Sequence, residues 1–167
     1  MMMRLITWNI QWARGMDNRV APRRIVDHAR QMADFDILCL QEVDNIDVLK
    51  AFEFGYLFKM VGSGYRQKFM VEGNDSRGID VAVIMKEQTR DGQPIECVKV
   101  TSHAGLTFEE LGLYSDGVAL LDIKPNEKIF RRDCLEVELR IGGRPLTLFV
   151  THLKSMGGPR NGMDGRL

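Results

Sequence analysis

The chain has 167 residues, 44% hydrophobic and 28% charged, which suits one globular domain over residues 1–167 with a sizeable core. It contains no run of 18 or more apolar residues, so the sequence excludes a helical membrane span. Its three cysteines are widely spaced in strand-like apolar segments, which predicts reduced structural thiols and a cytoplasmic location instead of a disulfide framework or a zinc cluster.

The net charge is zero, but the charges are unevenly distributed. Residues 1–34 carry six arginines against three aspartates, and residues 144–167 carry four basic residues against one aspartate. A protein that binds duplex DNA tightly usually has a strongly basic face, so this balance gives only modest support for a nucleic acid partner. Basic residues gathered at the two ends fit a localised phosphate site, and they would equally fit two solvated faces.

The first 41 residues predict a strand, a helix and a second strand. Residues 4–9 alternate well enough for a strand that ends at Asn9. Pro22 suits the first turn of a helix that continues to about Ala33 with an apolar stripe at helical spacing. A continuous apolar run over residues 36–41 then indicates a strand buried on both faces. This order predicts a βαβ-like start to an α/β or α+β sheet.

The later segments predict mostly β structure joined by loops. In chain order they are a helix over 46–54, a strand over 56–61, a long surface loop over 63–77, a buried strand over 79–86, a strand over 95–101, an ambiguous segment over 106–117, a strand with one wet face over 130–141, a Gly142-Gly143 hairpin turn and a buried strand over 146–153. Residues 155–167 show no apolar periodicity.

Glu42 lies at the carboxyl end of the buried second strand. A carboxylate there is costly unless a positive group meets it. A divalent cation is the simplest partner, because Mg²⁺ binds one or two carboxylates together with substrate phosphate oxygens. The ordinary alternative is a strand-end glutamate that points into water or pairs with an arginine.

Three more polar groups fall at predicted strand ends: Asn9, His152 and the Arg131-Arg132 pair. Ligands collect where strand ends and their loops converge. A metal-binding carboxylate, an amide, an imidazole and a guanidinium are together the groups that handle a phosphate ester. Each alone has a structural alternative: a core histidine, a surface ion pair for Arg132, and a turn or cap for Asn9.

Three motifs in order resemble the endonuclease/exonuclease/phosphatase superfamily, which has the DNase-I-like fold. They are Thr-Trp-Asn-Ile-Gln at 7–11, Asp-Ile-Leu-Cys-Leu-Gln-Glu-Val at 36–43 and Thr-His-Leu-Lys-Ser at 151–155. Residues 77–84 resemble its central strand, and residues 130–133 the segment with its phosphate-binding arginine. The resemblance implies an α+β fold, a two-sheet β-sandwich with flanking helices in four α/β/β/α layers, with an Mg²⁺- or Mn²⁺-dependent phosphoesterase site at one rim.

By this resemblance, Glu42 matches the metal-binding glutamate and Asn9 the asparagine that holds metal and phosphate. His152 matches the histidine that contacts phosphate, and Arg132 the phosphate clamp, with Arg131 as the competing choice. The implied reaction is hydrolysis of a phosphodiester or phosphomonoester by a metal-assisted water. The superfamily includes enzymes that act on DNA, sphingomyelin, inositol phosphates and poly(A) tails, and fold-level analogy does not choose among them.

Two segments typical of the family are missing from the sequence: Gly-Asp-x-Asn and Ser-Asp-His. We therefore expect the chain to represent the first part of such a domain, with open strand edges, an exposed apolar face on its second sheet, and little or no turnover. The alternative function is a non-catalytic, truncated or split module that binds phosphate or metal weakly, self-associates or pairs with a complementary half. A Rossmann-type nucleotide site is disfavoured, because no Gly-x-Gly-x-x-Gly follows the first strand.

Overall fold

The computed structural model describes residues 2–10, 34–61, 64–74, 78–130 and 132–153. Seven strands and three short α-helices are found there. The strands are β1 (Leu5–Asn9), β2 (Ile37–Val43), β3 (Gln67–Val71), β4 (Asp80–Met85), β5 (Ile95–Ser102), β6 (Cys134–Ile141) and β7 (Arg144–Thr151). The helices are α1 (Ile46–Phe52), α2 (Phe58–Val61) and α3 (Asp116–Ala119).

The first sheet has the strand order β1-β2-β4-β3. β1 runs parallel to β2, whereas β4 is antiparallel to both of its neighbours. β2 and β4 are buried almost throughout because both faces of the sheet are covered, and this explains their continuous apolar sequences. The parallel pair agrees with the predicted βαβ-like start. The predicted helix from Pro22 to Ala33 lies outside the described residues.

A helical segment covers one face of the first sheet. It begins at Asn45, whose Oδ1 accepts hydrogen bonds of 3.0 Å from the backbone N–H groups two and three residues later. Leu49 and Phe52 are buried against the sheet, and the Phe52 ring lies 5.9 Å from the Trp8 ring of β1. The segment continues through a π-helical turn (Glu53–Leu57) into α2. None of the described helices is long and apolar enough to cross a membrane.

The second sheet is antiparallel, with the order β5-β6-β7. Gly142 and Gly143 join β6 to β7 with φ values of 53° and 82°. A two-residue type I′ hairpin turn requires positive φ at both positions, which glycine adopts without a steric penalty. The hairpin predicted from the Gly-Gly pair is therefore confirmed.

The two sheets share one apolar core. The alternation of β6 turns its apolar residues toward the first sheet and its charged residues outward. The inward side chains form one cluster with buried residues of β2 and β4. Those of the second sheet are Ile95, Leu135, Val137, Leu139, Ile141 and Val150. The protein is thus an α+β two-sheet sandwich, and the described residues supply the α/β/β part of the predicted layers.

The prediction of a strand over residues 56–61 is wrong, because these residues continue the helical segment that Asn45 initiates. Leu57 is buried in the same apolar cluster as Leu49 and Phe52 of α1, so the apolar residues here follow the spacing of a helix. The prediction of a loop over residues 63–77 is also wrong in part, because β3 lies within it as an edge strand paired with β4. Its polar residues are tolerated because an edge strand is only half buried; Lys68 there forms a 3.1 Å ion pair with Glu53.

β7 also differs from the predicted buried strand, because it pairs only with β6 among the described strands. Val150 faces the core, whereas Phe149 is 61% exposed. The outward face of the second sheet is largely charged, with Glu136, Glu138 and Arg140 on β6. We expected an exposed apolar face on the second sheet, but in the described chain only single apolar side chains such as Phe149 are exposed there. The expected open strand edge is present at β7.

Candidate phosphate and metal site

The predicted site residues collect at one end of the sandwich. β1 and β2 end there, and β4 begins there, opposite the last residue of β2. In the second sheet, the last residue of β7 pairs with the first residue of β6. A contact between Glu42 and His152 joins these two ends. We call this end the site rim and define it by Asn9, Glu42, Asp80, Arg132 and His152.

Glu42 is held in an unusual backbone conformation. Its φ is 59°, in the left-handed region that a residue with a side chain seldom adopts. The β2–β4 register shifts between Gln41 and Val43, so Glu42 is the extra residue of a β-bulge. A bulge redirects a side chain at a strand end, and backbone strain of this kind clusters at functional sites.

The redirected Glu42 side chain meets His152 from the other sheet. Glu42 Oε1 lies 3.6 Å from His152 Nε2, and the two side chains are 19% and 16% exposed. This distance is longer than a hydrogen bond, so the contact is an ion pair when the histidine is protonated. The structure thus brings together two residues predicted from opposite ends of the sequence.

Asn9 and Arg132 reach the same rim through strand register. Asn9 is exposed at the end of β1 and pairs with Gln41, the residue before Glu42. Arg132 is half buried, two residues before β6 begins. Arg131 lies outside the described residues. Arg132 therefore stays the predicted phosphate clamp, with Arg131 as the competing choice.

Sequence reasoning missed two buried carboxylates at this end, Asp80 and Asp133, which are 4% and 0% exposed. Asp80 Oδ1 accepts a 2.6 Å hydrogen bond from the Gly73 N–H, and Asp133 Oδ1 accepts one of 2.8 Å from the His103 N–H. Asp80 is the first residue of β4, and Asp133 immediately precedes β6. An acid bordering an apolar run is the signal that identified Glu42, and it would have found these two as well.

The donors at the rim fit a hard cation. Among the described residues, no group of three or more His, Cys, Asp or Glu side chains forms a complete metal-binding set. Glu42 offers a carboxylate, and Asn9 offers an amide oxygen at the same end. Mg²⁺ typically takes one or two carboxylates and completes its shell with water and substrate phosphate oxygens. The residues present therefore suit Mg²⁺ or Mn²⁺ with few protein ligands.

The cysteines do not contribute a nucleophile at the rim. All three are free thiols. Burial raises the pKa of Cys39 to about 11 and also raises the pKa of Cys134, where Asp133 and Glu136 add to the effect. A thiol with a raised pKa stays protonated near neutral pH and reacts slowly. The predicted structural role of these cysteines fits their burial.

No protein-family model matches the chain, and no curated protein matches it. Solved structures that are similar include TDP2 from Caenorhabditis elegans, at 20% identity and a TM-score of 0.49 over 92% of this chain and 35% of that one. A truncated form of C. elegans TDP2 gives 21% identity and a TM-score of 0.47 over 90% of this chain and 46% of that one. The chain thus spans less than half the length of these structures. A likeness at this level does not identify a family.

Proposed function

We propose that the site rim is the metal- and phosphate-binding part of a phosphoesterase site of the endonuclease/exonuclease/phosphatase type. The observation that carries this proposal is the 3.6 Å contact between Glu42 Oε1 and His152 Nε2. It joins an acid and an imidazole from two different sheets. One of them sits on a strained bulge, which a purely structural ion pair does not need.

Each residue has a distinct task in this proposal. Glu42 and the Asn9 amide oxygen hold the cation, which when bound polarises a phosphoryl oxygen and neutralises its charge. His152 donates an N–H to a nonbridging phosphate oxygen. Arg132 adds a planar pair of donors that suits phosphate geometry. Preorganised donors of this kind stabilise the charge that builds on the phosphorus oxygens.

The proposed substrate is a phosphodiester or phosphomonoester. A nucleic acid is one candidate, although the zero net charge gives it modest support. The sequence has neither a Gly-Asp-x-Asn nor a Ser-Asp-His segment to activate the attacking water, so binding should be easier to detect than turnover. A cytoplasmic location stays a prediction from the free thiols.

One observation favours the alternative of a non-catalytic module. The strand that leads to His152, β7, has an unpaired edge within the described chain. An open strand edge is a template for pairing with another strand. A second copy of this chain or a complementary segment could complete the sheet there, next to the rim.

The proposal is tested by calorimetric titration of the purified chain with inorganic phosphate, with and without Mg²⁺, alongside a chromogenic phosphodiester assay. We expect Mg²⁺-dependent phosphate binding that Glu42→Ala abolishes. Glu96→Ala is the matched control, because Glu96 is exposed on β5, far along the strand from the rim. Equal phosphate binding by wild type and Glu42→Ala would rule the proposal out. Turnover of the phosphodiester that Glu42→Ala abolishes would exclude the non-catalytic module.

A further inference from the structure

Arg132 lies at the end of a long excursion of the chain. β5 ends at Ser102 and β6 begins at Cys134, and the described residues between them form turns, the short helix α3 and an isolated β-bridge between Thr107 and Lys128. Backbone hydrogen bonds join its two limbs, from the Phe108 N–H to the Glu127 carbonyl oxygen and from the Ile129 N–H to that of Leu106, and the His103 N–H donates to the Cys134 carbonyl oxygen at its base. Arg132 lies where this loop returns to the sheet, so contacts from outside the loop add to those that position it.

Asn74 supplies such contacts to both limbs of the excursion. Its Nδ2 donates to the carbonyl oxygen of Ala104 at 2.5 Å and to that of Phe130 at 2.9 Å. Its Oδ1 accepts from Lys128 Nζ at 2.6 Å. One amide thus uses two donor hydrogens and its acceptor on a single loop, which few short side chains can do.

The neighbouring glycine brings the same segment directly against Arg132. A Cβ built on Gly73 would lie 2.7 Å from the Asp133 N and 3.2 Å from the Arg132 Cα. The Gly73 N–H is itself held by Asp80 Oδ1, at the start of β4. The backbone at residues 73–74 is therefore tied to the first sheet and packed behind the arginine.

We infer that Asn74 is a positioning residue for Arg132: it holds the returning end of the loop, at Phe130, beside the site rim, so phosphate binding depends on an amide that does not itself touch phosphate. This inference rests on the proposed function, because it assigns Arg132 to the phosphate. Asn74 acts by joining the outgoing limb at Ala104 to the returning limb at Phe130, against a backbone anchored on β4.

The test is a double-mutant cycle read by titration of the chain with inorganic phosphate in the presence of Mg²⁺. Asn74→Ala should weaken phosphate binding by about three- to tenfold, as is usual for coupled neighbouring residues. In the Arg132→Ala background, the same substitution should change the phosphate affinity by less than about twofold. A general loosening of the fold would instead weaken binding equally in both backgrounds.

Three single variants sharpen the assignment. Asn74→Asp keeps the oxygen that Lys128 contacts but loses both donor hydrogens, so it should behave as Asn74→Ala. Lys128→Met removes only the lysine contact and should leave phosphate affinity near that of wild type. Asn126→Ala is the matched control, because Asn126 is an exposed asparagine in the same excursion with no side-chain hydrogen bond among the described contacts.

The outcomes separate this inference from the proposed function. Equal losses from Asn74→Ala in both backgrounds, or no loss in either, would overturn the positioning role while leaving the phosphate site intact. No effect of Arg132→Ala on phosphate affinity would remove the arginine clamp, and with it this inference. Loss only in the background that retains Arg132 would support both.

Discussion

Glu42 Oε1 on the first sheet lies 3.6 Å from His152 Nε2 on the second, and this contact closes one end of the sandwich. Both side chains are more than four-fifths buried, so they meet where the shared core reaches solvent. A change in either residue should therefore affect ligand binding and the packing of the two sheet ends.

The strained backbone of Glu42 gives a prediction about stability. Because its φ is 59°, Glu42→Gly should fold more stably than Glu42→Ala, by about 1 kcal/mol in urea denaturation. Both variants should lose Mg²⁺-dependent phosphate binding. Glu96 in β5 is the control, and there the order should reverse. Because glycine is unfavourable in a strand interior, Glu96→Gly should be less stable than Glu96→Ala by about 0.5–1 kcal/mol. An alanine variant of Glu42 as stable as the glycine variant would show that the bulge stores no strain.

The histidine at the rim gives a prediction about phosphate affinity. His152→Asn should weaken phosphate binding about tenfold, because a hydrogen bond to a charged group is lost. His103→Asn is the control: His103 pairs with Glu136 at 2.7 Å and packs against Phe149 on the other face of the second sheet. In a titration with phosphate, the affinity of His103→Asn should be near that of wild type. Equal weakening by both variants would contradict the role given to His152.

The close approach at Gly73 gives a prediction about packing. Gly73→Ala should lower stability by about 1–3 kcal/mol, because the added methyl meets the Asp133 backbone at 2.7 Å and the chain must shift. The shift should also weaken phosphate binding, since Arg132 is displaced with it. Gly105→Ala should be within about 0.5 kcal/mol of wild type, because nothing lies within 4 Å of its added carbon. Thermal melting and phosphate titration of the two variants provide the comparison.

A pH dependence is expected at the opposite end of the first sheet. The hydrogen bond from Lys86 Nζ, at 2.9 Å, and the charges of Lys86 and Arg90 lower the pKa of Asp34 below its usual 3.8. The lowered pKa means that the stabilisation is complete above pH 3.8 and is lost as the pH falls through the folded-state value. Asp34→Asn should therefore lose roughly 0.5–1 kcal/mol at neutral pH, a small amount because Asp34 is partly exposed.

Urea denaturation of wild type and Asp34→Asn between pH 7 and pH 3 checks this prediction. The difference in unfolding free energy should shrink toward zero at the acidic end. Asparagine tolerates the positive φ of 73° at this position, so the substitution isolates the charge. A constant difference across the pH range would show that the effect is not electrostatic.

The sequence predicted those parts of the fold whose local signal agrees with their tertiary setting. β2 and β4 are continuous apolar runs and are buried on both faces, and Gly142-Gly143 forms the expected turn. Residues 56–61 have aromatic and branched side chains that favour a strand, but they are helical because a capped helix leads directly into them. The local sequence of β3 resembles a loop, because an edge strand is held by its backbone hydrogen bonds and needs no apolar alternation.

The sequence predicts which residues belong to the candidate site better than it predicts their geometry. The motifs predicted Glu42 and His152, and the structure places them in contact. The local pattern could not show the bulge that turns Glu42, because a β-bulge depends on the pairing of β2 with β4. The role of Asn74 has no local signal, because the contacts of its side chain are made with residues far away in the sequence.

The Gly142-Gly143 turn sits at the far end of the β6–β7 ladder from the site rim, yet it fixes which residues face each other along the whole hairpin. Lengthening this turn by one residue would slide β7 past β6 by about 3.4 Å and exchange its inner and outer faces. Val150 would then leave the core, Phe149 would enter it, and the histidine would move relative to the arginine. Two glycines at the far end of the hairpin thus set the spacing between the two groups proposed to bind phosphate.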